Sequence, residues 1–393
     1  MNKNLWLLAL CQGLFLTNNV VFIAINGLVG LQLAPYAWMA TLPVMGYVVG
    51  GALSTPLVAR SQSLWGRRVS FQLGLAVAFV SAALCAWAAF SASFWLLCAA
   101  TVFAGYYSAN GQLYRFAAAE LAAPAFREKA VSLVLAGGLL GAIAGPNLAS
   151  HTRSVLSIPF AGAYIALMGV ALLAMVLMAG VRFEEMAPPV AGAPAKSTGR
   201  PLSVLLRQPV FAVAVICAAL GYGVMNLLMA ATPLAMQVHG FEFSSAAFVL
   251  QWHVIGMFAP GFFTGHLIKR FGTLPIMLVG VVLNLLCVGI ALSGEEIHHF
   301  TAALFLLGVG WNFLFTGSTT LAISAYRPEE KDHAQGGINF FVFATMAVTS
   351  LASGALVTTS GWWWLNVASL IPLSLTGVAL IWLMLRQRVA VLA

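Results

Sequence analysis

The sequence predicts an all-α membrane protein whose twelve transmembrane helices form two halves of six. Of the 393 residues, 61% are hydrophobic and only 7% are charged, and the mean hydropathy is +0.96. Long apolar runs with so few charges are typical of membrane spans. When the chain is divided at charges, prolines and small polar clusters, the candidate spans fall near residues 5–32, 36–58, 71–91, 94–115, 131–150, 155–180, 209–237, 244–268, 273–293, 298–325, 334–358 and 361–385.

The basic residues indicate how these spans are oriented. If the N-terminus lies in the cytoplasm, all but one of the 18 lysines and arginines fall on the cytoplasmic side, and only Arg153 falls outside. Cytoplasmic loops carry such an excess, so we expect an even number of spans with both termini in the cytoplasm. The net charge of +8 is then explained by the basic residues of the cytoplasmic loops. We expect no nucleic-acid partner, because the basic loops are short and lack interleaved aromatic residues.

A polar stretch and an internal repeat divide the chain into halves. Residues 182–208 are rich in proline, glycine and charge, which indicates a cytoplasmic linker between two six-helix bundles, residues 1–181 and 209–393. Four positions of the second span recur 210 residues later in the eighth span: Gly46, Gly51, Leu57 and Arg60 correspond to Gly256, Gly261, Leu267 and Arg270.

This repeat resembles the architecture of the major facilitator superfamily, in which substrates bind near the membrane midplane between the halves. The segment from Arg60 to Arg68 resembles the superfamily's loop signature after the second span, without its usual acidic member, and residues 269–272 resemble its echo. Residues 141–146 in the fifth span resemble a signature of drug/proton antiporters. The alternative for these last residues is close helix packing through small side chains.

The ionisable residues of the spans narrow the choice of substrate. None of the ten acidic residues lies in the middle of a predicted span, and His253 alone among the histidines lies deep in one. Carriers of protons or cationic drugs normally hold a buried carboxylate, so the pattern disfavours a multidrug antiporter. It also disfavours a carboxylate site for hard ions such as Mg²⁺. His253 is therefore the leading candidate for a functional residue.

Two short motifs place soft metal ligands around this histidine. Met225 and Met229 lie on the seventh span, and His253 and Met257 lie on the eighth. Residues four apart share a helix face, and thioether sulfur with imidazole nitrogen is a ligand set suited to Cu(I). From the shared outer turn, Met229 and His253 lie at one depth and Met225 and Met257 at another. With 14 methionines and 7 histidines in the chain, each motif alone is close to chance, so core packing remains the alternative.

The two motifs resemble those of the CcoA family of copper importers. These are major facilitator proteins of the bacterial inner membrane that supply copper for assembly of cbb3-type cytochrome c oxidase. The resemblance implies that Met225, Met229, His253 and Met257 bind copper and that the chain lies in the inner membrane. The same wider family includes riboflavin importers, so the motifs are more specific for the family than for its substrate.

Further residues are candidates for a route into this site. Met236, His239 and Glu242 surround the outer turn and could admit copper, unless they form an ordinary polar turn. The next outer loop carries a second polar group that could capture an ion or be merely solvated: Glu295, Glu296, His298 and His299. The flank of the expected cavity carries aromatic and amide groups that would serve a flat organic substrate equally well: Trp252, Trp311 and Asn312.

The sequence therefore predicts an importer that moves copper, as Cu(I), by alternating access through the lipid bilayer. Met229 and His253 would receive the ion, and Met225 and Met257 would pass it inward. We expect no prosthetic group and, as a partner, a copper chaperone on either side of the membrane. We expect no enzymatic activity, because no nucleophile–base or metal–water constellation is present. The first alternative is import of riboflavin or another flat organic compound. The second is a drug/proton antiporter.

Overall fold

The computed structural model describes residues 3–123, 127–183, 200–327 and 330–392, which are helical and contain no β-strand. A short 3-10 turn (Ala37–Met39) precedes the second helix. The helices are α1 (Lys3–Leu33), α2 (Leu42–Phe90), α3 (Phe94–Gly111), α4 (Tyr114–Glu120), α5 (Arg127–Ala136), α6 (Gly138–Thr152), α7 (Ala161–Ala179), α8 (Leu202–Leu205), α9 (Pro209–Val238), α10 (Phe243–Phe258), α11 (Gly261–Phe271), α12 (Thr273–Ser293), α13 (Ile297–Ile323), α14 (Lys331–Thr359) and α15 (Gly361–Leu392).

Most of the predicted spans are present as long apolar helices. Ten helical segments of the described chain are long and apolar enough to cross a membrane, and the bent pair α10 and α11 gives an eleventh. The helix α3 occupies the place of the predicted fourth span, but its second half is more polar, with Tyr106, Tyr107, Ser108 and Asn110. The second and third spans both lie within α2 as two helical segments, which Gly66 separates with a φ of 76°, a conformation that favours glycine.

The predicted eighth span is broken in the structure. The helices α10 and α11 meet at an angle of 42° on either side of residues 259–260. Pro260 has no backbone N–H to donate to the preceding turn, so the helix loses a hydrogen bond at this point. The break falls directly after Met257 and Phe258, and it places the end of α10 beside α13.

The repeated glycines make equivalent contacts in the two halves. A Cβ atom at Gly46 of α2 would lie 3.3 Å from the carbonyl oxygen of Cys98 on α3. A Cβ atom at Gly256 of α10 would lie 2.6 Å from the carbonyl oxygen of Phe305 on α13. Both positions therefore let the second span of a half approach the fourth span of that half closely, as small residues do in membrane proteins.

Most of the predicted linker, residues 184–199, lies outside the described residues. The last part of the predicted linker, from residue 200 onward, is folded onto the second half. The buried Glu330 accepts hydrogen bonds from the Arg200 side chain and from the backbone N–H of Arg327. Leu202 of α8 packs against Gly337 of α14. Below, the membrane side that carries residues 183 and 200 is called the linker side, and the opposite side is called the far side.

Candidate functional site

His253 is fully buried on α10 and is held by one hydrogen bond. Its Nδ1 lies 2.7 Å from the carbonyl oxygen of Leu304 on α13. Because a carbonyl oxygen only accepts, Nδ1 carries the proton, and in the neutral ring Nε2 carries the free lone pair. That Nε2 is also buried and has no hydrogen-bond partner among the described residues. The ring therefore presents one unused acceptor inside the second half.

The three candidate methionines lie in the same buried cluster. Met225, Met229 and Met257 are 3%, 4% and 7% exposed, and all three pack in one apolar core with Leu304 and Leu307. Measured from the ends of α9 and α10, Met229 lies about 14 Å deep and His253 about 15 Å deep, at a rise of 1.5 Å per residue.

The helices α9 and α10, which carry the two motifs, do not pack mainly against each other as the helices of a simple hairpin would. The helix α10 packs mainly on α13 and on α6 of the first half, whereas α9 packs mainly on α14, α13 and α15. A Cβ atom at Gly308 of α13 would lie 2.4 Å from the carbonyl oxygen of His253 and 2.8 Å from the backbone nitrogen of Met257. The backbone of the HxxxM motif thus lies against α13, and the pairing of Met229 with His253 stays a prediction.

Asn312 connects α13 to the break between α10 and α11. Its Nδ2 donates to the carbonyl oxygen of Met257 at 2.7 Å, and its Oδ1 lies 2.7 Å from the hydroxyl of Thr264. Pro260 interrupts the helical hydrogen bonding here, and the amide supplies a partner for the carbonyl of Met257. Both ends of the Asn312 amide are therefore occupied by contacts within the second half.

The other predicted residues lie away from His253 or nearer the far side. Trp252 is 39% exposed and packs edge-on against Phe248 and Phe305, so it lies on an exposed aromatic face of the bundle. Met236 is fully buried near the end of α9. The Nδ1 of His239 lies 3.1 Å from a carboxylate oxygen of Glu295, which joins the α9–α10 turn to the α12–α13 loop.

Trp311 is the centre of a cluster of four aromatic rings. It stacks on Phe315 with ring centroids 5.0 Å apart, and it meets Tyr222 of α9 and Phe258 of α10 edge-on at 5.3 and 6.3 Å. Trp311 is buried, while the three other rings are partly exposed. Its indole Nε1 is a buried donor that has no acceptor in the described part of the chain.

This aromatic cluster, defined by Tyr222, Phe258, Trp311 and Phe315, lies about one helical turn on the linker side of Met225 and Met257. Sequence reasoning identified only Trp311. The spacing of Trp311 and Phe315 indicates one helix face. Tyr222 and Phe258 carried no such signal, because they come from two other helices.

Polar side chains of the first half add hydrogen-bonding groups near the bundle axis. The hydroxyl of Tyr47 donates to Oδ1 of Asn19, which is partly exposed on α1, and that of Tyr164 donates to the buried Asn26 at 2.5 Å. The carbonyl oxygen of the Gln12 side chain is buried, and the described residues offer it no donor. The first half therefore contributes amides and phenols, whereas the second half contributes the aromatic cluster.

The two halves meet in specific contacts near the far side. The backbone N–H of Gly354 on α14 donates to the hydroxyl of Thr41 at 3.0 Å. The guanidinium of Arg153 lies over the rings of Phe160 and Phe243, which belong to different halves. On α9, residues 223–236 are buried without interruption. The far side of the space between the halves is therefore closed.

The chain is similar to a known protein family and to known transporters. The model of the Major Facilitator Superfamily matches residues 5–293 and 253–391. The riboflavin transporter RfnT of Brucella anthropi is 38% identical over 367 residues, which cover 93% of this chain and 91% of that protein. The uncharacterized MFS-type transporter YddS of Bacillus subtilis is 28% identical over 365 residues, or 88% of this chain and 82% of that protein.

Solved structures show the same fold at low sequence identity. The nucleoside transporter NupG superimposes with a TM-score of 0.73 at 12% identity and covers 98% of this chain and 99% of its own. The human organic anion transporter MFSD10 gives a TM-score of 0.67 at 15% identity and covers 96% of this chain and 99% of its own. The relatives are transporters rather than enzymes, and the predicted architecture of twelve spans in two halves is that of their fold. This chain belongs to the Major Facilitator Superfamily.

Proposed function

We propose that this transporter imports riboflavin or a closely similar flat heteroaromatic compound across the bacterial inner membrane. The support from relatives is the riboflavin transporter of Brucella anthropi, which is similar over nearly the whole length of both chains. The linker side would face the cytoplasm, as the distribution of basic residues predicts. Import of a flat organic compound was the first alternative to copper import that the sequence left open, and it has more support than the predicted import of copper.

The observation that carries the proposal is the unpaired indole N–H of Trp311 inside an aromatic cluster. A buried donor without a partner costs free energy unless a ligand supplies the acceptor. Flat heterocycles offer ring carbonyls and nitrogens as acceptors, and their faces pack well against aromatic rings. The partly exposed rings of Tyr222, Phe258 and Phe315 would contact the substrate in the space between the halves, where the amides of α1 would meet its hydroxyl groups.

Transport would follow from rocking of the two halves about this site. In the described conformation the far side is closed by contacts such as Thr41 with Gly354, so the substrate site would communicate with the linker side. Opening the far side requires these contacts to break. The aromatic cluster belongs entirely to the second half, so it would remain assembled during the motion.

Import of Cu(I) is the second candidate, and one specific observation favours it. The Nε2 of His253 is buried, unpaired and available as a ligand, while Nδ1 is fixed by Leu304. Metal-bound histidines commonly donate their other ring N–H to a carbonyl in this way. Met225, Met229 and Met257 would supply the thioethers. The alternative is that the methionines only fill the core.

Paired uptake measurements test the proposal. Cells that lack their own uptake of riboflavin would express the chain and receive radioactive riboflavin or radioactive copper. We expect riboflavin uptake in the wild type, and nearly the same uptake in the Met225→Leu/Met257→Leu double variant, because leucine and methionine have similar volumes. Copper uptake that the double variant abolishes, with no uptake of riboflavin, would reverse the order of the two candidates.

A further inference from the structure

A second group of potential ligands lies on the far side, outside the transport site. Glu296, His298 and His299 each offer one ligand atom, and these atoms lie within 4.8 Å of one another. They come from the N-terminal end of α13, where Glu296 is the residue before the helix and the two histidines occupy its first turn. None of these three side chains belongs to the proposed substrate site.

We propose that Glu296, His298 and His299 form a binding site for one divalent transition-metal ion of the Zn²⁺ type. Two imidazoles and a carboxylate suit Zn²⁺ and its neighbours, whereas Mg²⁺ and Ca²⁺ prefer oxygen ligands alone. A water molecule would complete a tetrahedral site. This ligand set contains no sulfur, so it differs in chemistry from the methionine-rich set around His253.

The distances in the cluster are close to those of a formed site. Ligand atoms around tetrahedral Zn²⁺ are about 3.3 Å apart, given bonds of about 2.0–2.1 Å. The Nδ1 of His298 already lies 3.2 Å from a carboxylate oxygen of Glu296. The ring of His299 packs beside that of His298 with centroids 4.1 Å apart, and all three ligand atoms lie within 4.8 Å of one another, so the third must move closer to share one ion.

The ring of His299 has a nitrogen without a hydrogen-bond partner. Its Nδ1 is shielded from solvent and finds no hydrogen-bond partner within the described residues. The ring lies so close to Gly294 that a Cβ atom there would be 2.3–2.7 Å from three ring atoms. Only glycine at position 294 leaves space for the ring in this position, so the loop holds the imidazole beside its neighbours.

The backbone that carries the ligands is fixed from two directions. Glu295 pairs with His239 of the α9–α10 turn, at 3.1 Å. On the other side, the buried Phe300 packs against Trp362 of α15, and the indole of Trp362 donates to the carbonyl of Ala291 at 3.2 Å. Binding of a metal therefore requires little ordering of the chain, which favours affinity.

Titration calorimetry with Zn²⁺ on the full-length protein, purified without a histidine tag, tests the site. We expect one Zn²⁺ bound per chain and no binding of Mg²⁺. The His298→Ala/His299→Ala double variant should bind Zn²⁺ about tenfold more weakly or not at all. A Glu296→Gln variant should show an intermediate loss.

A matched variant locates the effect. His151→Ala removes an exposed histidine of the first half, and it should keep the binding of the wild type. Without metal, the His298→Ala single variant should unfold at the wild-type temperature, because the side chain of His298 is 67% exposed. Equal Zn²⁺ binding by the wild type and the double variant, or no binding by the wild type, would overturn the proposal.

Discussion

The carboxamide nitrogen of Asn312 donates a hydrogen bond of 2.7 Å to the carbonyl oxygen of Met257, across the contact between α13 and α10. This carbonyl lies at the end of α10, where Pro260 interrupts the helix. A buried carbonyl without a donor is costly, so the amide stabilises the broken geometry of the eighth span. The same break determines where Met257 and Phe258 lie relative to Trp311.

We therefore expect Asn312→Leu to lower the stability of the protein by about 1–3 kcal/mol, because it leaves the carbonyl of Met257 unpaired. Thermal unfolding in detergent measures the effect. The control is Thr319→Val on the same helix, since Thr319 is exposed and bonds only to Phe315 of its own helix. Equal unfolding temperatures for the two variants would contradict this role of Asn312.

The sequence predicted the spans well and the break in the eighth span poorly. Apolar runs indicate spans directly, but proline is an ambiguous signal in a membrane helix because neighbouring groups can satisfy the freed carbonyl. Pro56, Pro146, Pro233 and Pro372 all lie inside helices that continue past them. At Pro260, in contrast, α10 ends and the chain continues as α11 at an angle of 42°.

The sequence predicted that His253 lies deep in the membrane, but it did not predict which atoms contact this residue. The isolation of His253 in an apolar span indicated a buried functional group, and the structure places it in the core. Its partner, the carbonyl of Leu304, is a backbone atom of a helix two spans later. Sequence spacing cannot identify such a partner, because α10 packs on α13 more than on its chain neighbour α9.

Trp311→Phe tests the role of the unpaired indole in substrate binding. Phenylalanine keeps an aromatic ring in the cluster and removes the N–H. We therefore expect the KM for riboflavin to rise roughly fivefold, which corresponds to the loss of about 1 kcal/mol from one hydrogen bond. Trp252→Phe is the matched control, because Trp252 lies on the exposed aromatic face. A KM that changes equally in both variants would show that the indole N–H of Trp311 does not contact the substrate.

The pairing of Arg200 with Glu330 predicts a stability that depends on pH. Hydrogen bonds from Arg200 lower the pKa of Glu330 from 4.5 to about 2. A carboxyl group with a lowered pKa stabilises the folded state above its unfolded pKa of 4.5, and this contribution disappears as the pH falls toward 2. We expect Glu330→Gln to unfold at a lower temperature than the wild type at pH 7 and at pH 5.

The difference between the two proteins should then shrink as the pH falls below 4.5. Thermal unfolding at a series of pH values measures it, with Glu120→Gln as the control because the carboxylate of Glu120, which pairs with Arg67, is 56% exposed. A difference between wild type and Glu330→Gln that grows in acid would contradict the assignment.

The contact of Thr41 with Gly354 predicts how the halves separate on the far side. Thr41→Val keeps the shape of the side chain and removes the hydroxyl that accepts from the Gly354 N–H, so the closed state loses about 1 kcal/mol. The population open on the far side should rise roughly fivefold, because 1 kcal/mol is nearly twice the thermal energy RT.

Thr358→Val is the control, since Thr358 bonds to Gly354 and Ala355 of its own helix. Spin labels on cysteines introduced at the exposed positions Tyr36 and Trp363, with the native cysteines replaced, report the distance between the halves. We expect a longer distance to gain population in Thr41→Val and not in Thr358→Val; the same distance distribution in both would show that this contact does not hold the far side closed.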